Sequence, residues 1–290
     1  MLSTAVIKPT PEQEAAVEAF VAREDLKLLA VAGSGKTTTL KLMAEARPRG
    51  RFLYLVFNRA LREEAERKMP KNLIPSTLHA LAYQQVVRPS RALQDKVGVA
   101  SGQVRAYHFT EFLGLDTLEA YVAKATLEAF LRSNLLKPNP SMVPERYRMV
   151  AERRGQGDKI QEVLEAVETA WARMQDPSDP FPLSHDGYVK LWAMSSPRLE
   201  GWDALLVDEA QDLDPVFVGI LEGQNHLQRV YVGDPAQQIY GWRGAVNAMD
   251  TLGGRTLTLT WSFRFGAELA EVVNAFMSLV ERRSFPGVRG

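Results

Sequence analysis

Four short apolar runs stand out along the chain, at residues 26–31, 51–57, 204–207 and 229–232. They lack the polar alternation of a half-solvated strand, so they read as strands buried on both faces of a parallel sheet. The first runs through a glycine-rich turn into a helical stretch, a strand–loop–helix order. The third ends in Asp208-Glu209 and the fourth in Gly233-Asp234. The core is therefore expected to be α/β.

Between about residues 85 and 200 no strand-like run occurs and helical spacing dominates. Ile160, Val163, Leu164, Val167, Trp171 and Met174 recur at three- and four-residue steps, with Asp158 placed to cap the helix start. Asp116-Thr-Leu-Glu119 opens another helix in the manner of a capping box. Proline-rich stretches at 137–140 and 176–182 mark loops, and no internal repeat is present. This stretch reads as a helical insertion into the α/β core. Near the end, Leu269, Val272, Val273, Phe276, Leu279 and Val280 predict a helix from about 266 to 281 whose apolar stripe has little to bury it.

Composition narrows the function without naming it. At 290 residues, 46% hydrophobic and 24% charged, the chain is long enough for one large domain or two ordinary ones, and its balance is globular. Acids and bases number 35 each, so a nucleic-acid site must be a local patch and not a global attraction. The absence of cysteine removes disulfides, thiolate metal sites and cysteine nucleophiles. The four histidines, His79, His108, His185 and His226, show no metal-ligand spacing. With no long apolar run and no export signal, the expected location is cytoplasmic, without a membrane partner.

Ala30-Val-Ala-Gly33-Ser-Gly35-Lys36-Thr37 fits the phosphate-loop pattern, except that Ala30 replaces its first glycine. Glycines let backbone N–H groups converge on an anion, and the helix behind adds its dipole. Ala32, Gly33, Ser34, Gly35, Lys36, Thr37 and Thr38 are thus candidate ATP-binding residues, with Lys36 reaching the β- and γ-phosphates and Thr37 ligating magnesium. Asp208, at a strand's carboxyl end, is the candidate for holding the Mg2+ through water, and Glu209 for deprotonating the attacking water. The competing reading of Asp208-Glu209 is an ordinary helix start with acids in its first turn.

Asp208-Glu-Ala-Gln-Asp212 and the string Val232-Gly-Asp-Pro-Ala-Gln-Gln-Ile-Tyr-Gly-Trp-Arg-Gly-Ala245 together resemble the UvrD/Rep/PcrA type of superfamily-one helicases. His185-Asp-Gly-Tyr-Val-Lys-Leu-Trp192 and Ser262-Phe-Arg-Phe-Gly266 look closest to the F-box DNA helicase branch, although no F-box sequence is present. The matching blocks run in family order from Thr10 to about Phe276. The resemblance implies that Gln13 reads the adenine edge, Phe263 stacks on adenine, and Gln237 and Arg264 act at the γ-phosphate, with Gln238 a one-residue alternative to Gln237. It also implies that Phe57, Asn58, Thr77, His79, Tyr240, Trp242 and Arg243 line a single-strand track, where rings stack on any base and polar groups hold phosphates. Each of these aromatic residues could equally be core. Residues 137–154 carry a net charge of +3, which reads either as a DNA-facing patch or as a solvated helix face.

The resemblance further implies a P-loop NTPase, RecA-like parallel sheet (1A) at residues 1–85 and 196–260. A helical insertion (1B) would occupy 86–195, and a short stub of a second RecA-like domain (2A) 261–290. The 172 residues separating Lys36 from Asp208 leave room for the insertion. The family's later motifs are missing, so three explanations stand open: a truncated or frameshifted gene product, which is favoured, a split helicase completed by a second chain, or a stand-alone module. The expected function is the ATP-binding motor half of an ATP-dependent helicase moving 3′ to 5′ on single-stranded DNA and acting at single-strand/duplex junctions. The alternatives are a non-catalytic DNA-binding module switched by ATP and a small-molecule phosphotransferase.

Overall fold

The structure is a computed structural model describing residues 8–99, 101–237, 248–279 and 287–290. Among the described residues the strands are β1 (Leu26–Ala30), β2 (Phe52–Leu55), β3 (Leu73–Ser76), β4 (Ala204–Val207), β5 (Gln228–Gly233) and β6 (Arg255–Leu259). The α-helices are α1 (Pro11–Val21), α2 (Lys36–Ala46), α3 (Arg59–Lys68), α4 (Leu78–Ala82), α5 (Arg91–Val99), α6 (Ala106–Leu113) and α7 (Thr117–Arg132). They continue with α8 (Glu145–Arg153), α9 (Asp158–Gln175), α10 (His185–Met194), α11 (Pro215–Glu222), α12 (Ala248–Thr251) and α13 (Ala267–Leu279). No helix among the described residues is long and apolar enough to cross a membrane.

The chain divides into two compact units. One comprises residues 8–77, 199–213 and 224–290 within the described set, and the other residues 78–198 and 214–223. The first holds one sheet in the order β3-β2-β4-β5-β1-β6, every pairing parallel. The apolar runs read from the sequence become its four central strands, and its core gathers Leu26, Leu28, Phe52, Tyr54, Leu206, Val230 and Val232 with α1 and α2 residues. Phe20 of α1 meets Phe52 edge to face at 5.3 Å, and the Arg47 guanidinium lies 5.0 and 5.1 Å from the two ring centres. Parallel strands carried in this way put all their carboxyl ends on one edge, which is where open α/β sheets place ligands.

The two outer strands were not legible as apolar runs. β3 contains Pro75, tolerated because β3 is an edge strand, and β6 alternates polar and apolar residues with its first half exposed.

The second unit is helical. Val163, Leu164, Val167, Trp171 and Met174 of α9 are buried as their spacing predicted, with the Phe130 ring of α7 edge-on to Trp171 at 5.8 Å. Two capping expectations need correction. Gly157 is the N-cap of α9 and Asp158 its first helical residue, where a carboxylate favours the helix through the dipole and not through a cap bond. Asp116 does cap α7, accepting the Glu119 N–H at 2.8 Å. The Glu119 carboxylate, however, accepts from Lys159 Nζ at 2.8 Å, so this charge pair between α7 and α9 takes the place of the return bond of a capping box. Lys96 and Lys190 are buried, and each donates to two backbone carbonyls: Arg173 and Asp176 for the first, Ser133 and Leu135 for the second.

In the first unit, α13 covers a small cluster of Val31, Ala270 and Val288. Leu269, Val272, Phe276 and Leu279 are exposed along it.

Candidate nucleotide site

The loop between β1 and α2 takes its shape from its two glycines. Gly33 (φ +75°) and Gly35 (φ +77°) are both left-handed, a conformation that costs an L-residue about 1–2 kcal/mol. Gly35 is the N-cap of α2 and supplies no side-chain cap bond, so the first-turn N–H groups of α2 lack the partner that a Ser or Asp would give. Ser34 is 2% exposed, and its hydroxyl has no hydrogen-bond partner among the described residues. Uncapped helix N–H groups, a buried unpaired hydroxyl and the helix dipole together form a cradle suited to phosphate oxygens.

Lys36 opens α2, and its ammonium donates to Glu209 Oε2 at 2.9 Å, bringing together groups distant in sequence but both in the sheet unit. Glu209 sits just beyond β4 at φ +51° and ψ +41°, a strained conformation for a non-glycine residue, of the kind that clusters at functional sites. Its neighbour Asp208 is held on both oxygens: Oδ1 accepts the Glu209 N–H at 3.0 Å and Oδ2 the Tyr54 hydroxyl at 2.6 Å. Burial pushes the Asp208 carboxyl above the usual carboxylate range, the Tyr54 hydrogen bond opposes this, and the Lys36 charge opposes it further.

Thr37, Tyr54, Asp208 and Glu209 line one end of a cleft of about 140 Å³, whose other wall is Leu61, Glu64, Ala65 and Lys68 of α3. A hydroxyl and a carboxylate, both hard oxygen donors, suit Mg2+, which takes few protein ligands and completes its shell with water and phosphate oxygens. Thr37 and Asp208 thus have the chemistry to hold the ion.

The segment after β6 is stitched onto the glycine loop. Glu12 of α1 accepts from the Thr260 N–H at 2.7 Å and from its hydroxyl at 2.5 Å. Ser262 Oγ donates to the Ala32 carbonyl at 3.0 Å, and the Phe263 N–H to the Gly33 carbonyl at 2.9 Å. As a result the exposed Phe263 ring lies against Gly35, and the Arg264 stem crosses Gly33 so closely that a Cβ there would sit 2.6 Å from Arg264 Cγ. Gln13 is buried beside the same loop, but its amide has local duties. Oε1 accepts from the Thr10 N–H at 3.0 Å in a capping box, and Nε2 donates to Thr39 Oγ1 at 3.1 Å. One Nε2 proton and one Oε1 lone pair are left over for a base edge.

Two contributors went unassigned in the sequence reading. Gln211, 2% exposed, donates to Glu209 Oε2 at 2.9 Å and to Asp212 Oδ2 at 3.2 Å, while its Oε1 accepts the Asp234 N–H at 3.1 Å. Asp234 in turn accepts from Gln237 Nε2 at 2.5 Å. A hydrogen-bonded path therefore runs from Lys36 through Glu209, Gln211 and Asp234 to the exposed Gln237. Gly233 makes room for it, since a Cβ there would stand 2.5 Å from Gln211 Oε1. The acidic string containing Gln211 was visible in the sequence, but nothing in it singled out the amide. Tyr54 was hidden as one residue of an apolar strand.

The residues expected along a DNA track divide into three groups. Phe57 and Asn58 follow β2 and Thr77 follows β3, so these lie at neighbouring carboxyl ends of the sheet. Phe57 is exposed, whereas Asn58 Oδ1 caps α3 by accepting the Leu61 N–H at 2.9 Å. His79 belongs to the helical unit, where its Nε2 stands 3.5 Å from Asp186 Oδ1 and its ring meets Tyr188 and Phe217 edge-on. Tyr240, Trp242, Arg243 and the alternative Gln238 lie outside the described residues.

Residues 13–243 match the AAA_19 family, described as an AAA domain. The chain is 31% identical over 283 residues to F-box DNA helicase 1 of Gallus gallus, covering 93% of this chain and 28% of that protein. It is 31% identical over 297 residues to F-box DNA helicase protein 1 of Schizosaccharomyces pombe, covering 93% and 33% respectively. A shorter match, 40% over 70 residues, joins 21% of the chain to 6% of the RecBCD enzyme subunit RecB of Mycobacterium tuberculosis. The chain thus spans about a third or less of the length of the curated relatives it matches.

Proposed function

Because the chain belongs to the AAA_19 family of AAA domains, in the UvrD-like helicase superfamily 1, we propose that it is the ATP-binding motor portion of an ATP-dependent DNA helicase. In this reading it moves 3′ to 5′ on single-stranded DNA, acts at single-strand/duplex junctions and uses Mg2+. Residues 1–85 and 196–260 serve as domain 1A, residues 86–195 as 1B, and residues 261–290 as the opening of a second RecA-like domain, against which 1A closes on nucleotide. The observation that carries the proposal is the Lys36 ammonium, set at a glycine-built anion cradle and paired at 2.9 Å with Glu209 beside Asp208.

That ion pair suggests the order of events. A triphosphate in the cradle competes for Lys36, and its transfer to the β- and γ-phosphate oxygens frees Glu209 to accept a proton. Water then attacks the γ-phosphorus, its proton passes to a Glu209 carboxylate oxygen, and the bond to the β–γ bridging oxygen breaks with ADP as leaving group. Magnesium held at Thr37 and Asp208 would offset charge on the phosphate oxygens. Arg264 supplies a permanently charged fork from the segment stitched to the loop. Phe263 offers a ring face and Gln13 its leftover amide groups to adenine. Gln237, at the far end of the hydrogen-bonded path, couples phosphate state to the strand track that the resemblance assigns to Phe57, Asn58, Thr77, His79, Tyr240, Trp242 and Arg243.

The test is ATP turnover by the purified chain, alone and beside a supplied second RecA-like domain, each with and without single-stranded DNA. Turnover should rise with DNA and vanish in Lys36→Ala and Glu209→Gln. Undiminished turnover in both variants would refute the assignment of the site. Nucleotide binding without turnover, even beside the second domain, would instead support an ATP-switched DNA-binding module.

A further inference from the structure

We propose that Tyr54 is a positioning residue for the magnesium-holding carboxylate, an inference that rests on the nucleotide-site reading above. Tyr54 occupies the third position of β2, a strand whose four residues are all buried, where any large apolar side chain would serve the core. Its hydroxyl is the one polar feature of that strand's side chains, and it donates to Asp208 Oδ2 at 2.6 Å. The register makes this reach possible. Tyr54 lies opposite Leu206 on the adjacent β4, and Asp208 follows two residues later, with its N–H bonded to the Leu55 carbonyl at 3.0 Å.

The consequence is orientational. With the Glu209 N–H on Oδ1 and the Tyr54 hydroxyl on Oδ2, rotation of the carboxylate is fixed from both sides. Each oxygen keeps a second lone pair, and both groups border the cleft that Thr37 and Glu209 also line. A tyrosine can act here only as a donor toward an ionised carboxylate. Outer-shell donors of this kind set the direction of a ligand's lone pairs, and their loss weakens metal binding about tenfold or more. A water-bridged carboxylate depends on that direction in particular, because the bound water must satisfy the ion and the carboxylate together.

The experiment is a titration of a fluorescent ATP analogue on the full chain, in EDTA and across a Mg2+ series, for the unmutated protein, Tyr54→Phe and Tyr54→Leu, with thermal unfolding recorded alongside. Phe keeps the ring and its packing. The expected result for Tyr54→Phe is a Mg2+ midpoint raised about tenfold, with EDTA affinity within about twofold of the unmutated chain. Tyr54→Leu should show the same Mg2+ shift with a larger drop in unfolding temperature. A midpoint within twofold of the unmutated chain in Tyr54→Phe would overturn the proposal, leaving Tyr54 a core residue whatever its effect on stability. An equal loss of affinity in EDTA would also overturn it. Failure of the unmutated chain to bind the analogue under any condition would overturn the nucleotide reading itself, a result distinct from the other two.

Discussion

Replacing Gln211 by Met isolates the polar work of the buried amide, because Met is unbranched, close in volume and fits irregular gaps. Three hydrogen bonds go. The bond to the Asp234 N–H is the costly one, since that group is buried. Leaving such a donor unpaired costs about 1–3 kcal/mol. The bonds to Glu209 and Asp212 end on carboxylates that are partly solvent-accessible, so water recovers much of each and the net loss is roughly 0.5–1 kcal/mol apiece. The sum is a stability loss of about 2–5 kcal/mol, read by urea unfolding of the full chain with unchanged slope. A second substitution sharpens the test. Gln211→Glu keeps the acceptor for the Asp234 N–H but sets a third carboxylate against Glu209 and Asp212. It should therefore be less stable than Gln211→Met near neutral pH and recover as acidification protonates the introduced carboxylate. A loss below about 1 kcal/mol for Gln211→Met, or a Gln211→Glu variant indifferent to pH, would refute the account of the amide as a bridge between the ends of β4 and β5.

Gly33→Ala places a Cβ in a left-handed residue and against Arg264 Cγ, so nucleotide affinity should fall at least about tenfold in an equilibrium titration, and a change under twofold would contradict the assigned loop geometry. Arg264→Ala should lower kcat for ATP more than it lowers nucleotide affinity if the guanidinium acts mainly on the transition state, and equal losses in pre-steady-state binding and turnover would argue against that role. Burial lowers the Lys190 ammonium from 10.5 to about 8, so the folded chain carries a penalty at neutral pH that is relieved as pH rises from about 8 to 10.5. Stability relative to Lys190→Met should accordingly rise by up to about 3 kcal/mol between pH 7.5 and 10 in urea unfolding, and a pH-independent difference would show the lysine to be solvated.

The division between what sequence and tertiary structure determine can be followed residue by residue. The central strands were legible because burial on both faces demands continuous apolar residues, and the helical unit because α9 needs one buried stripe. The outer strands were not, since an edge strand satisfies fewer constraints and can hold Pro75 or alternate as β6 does. The glycine loop was legible because left-handed backbone leaves a compositional mark. Asp208-Glu209 gained meaning only beside that loop, because acids at a strand end have several ordinary explanations. The sequence could not assign Gln211 or Tyr54 a role, since a single amide or hydroxyl acquires one only from the atom it faces. Nor could it show Gln13 capping its own helix, Asn58 capping α3 or His79 engaged with Asp186. Side-chain type travels with the chain, but a hydrogen bond between β2 and β4 exists only after strands distant in sequence have been laid side by side in register.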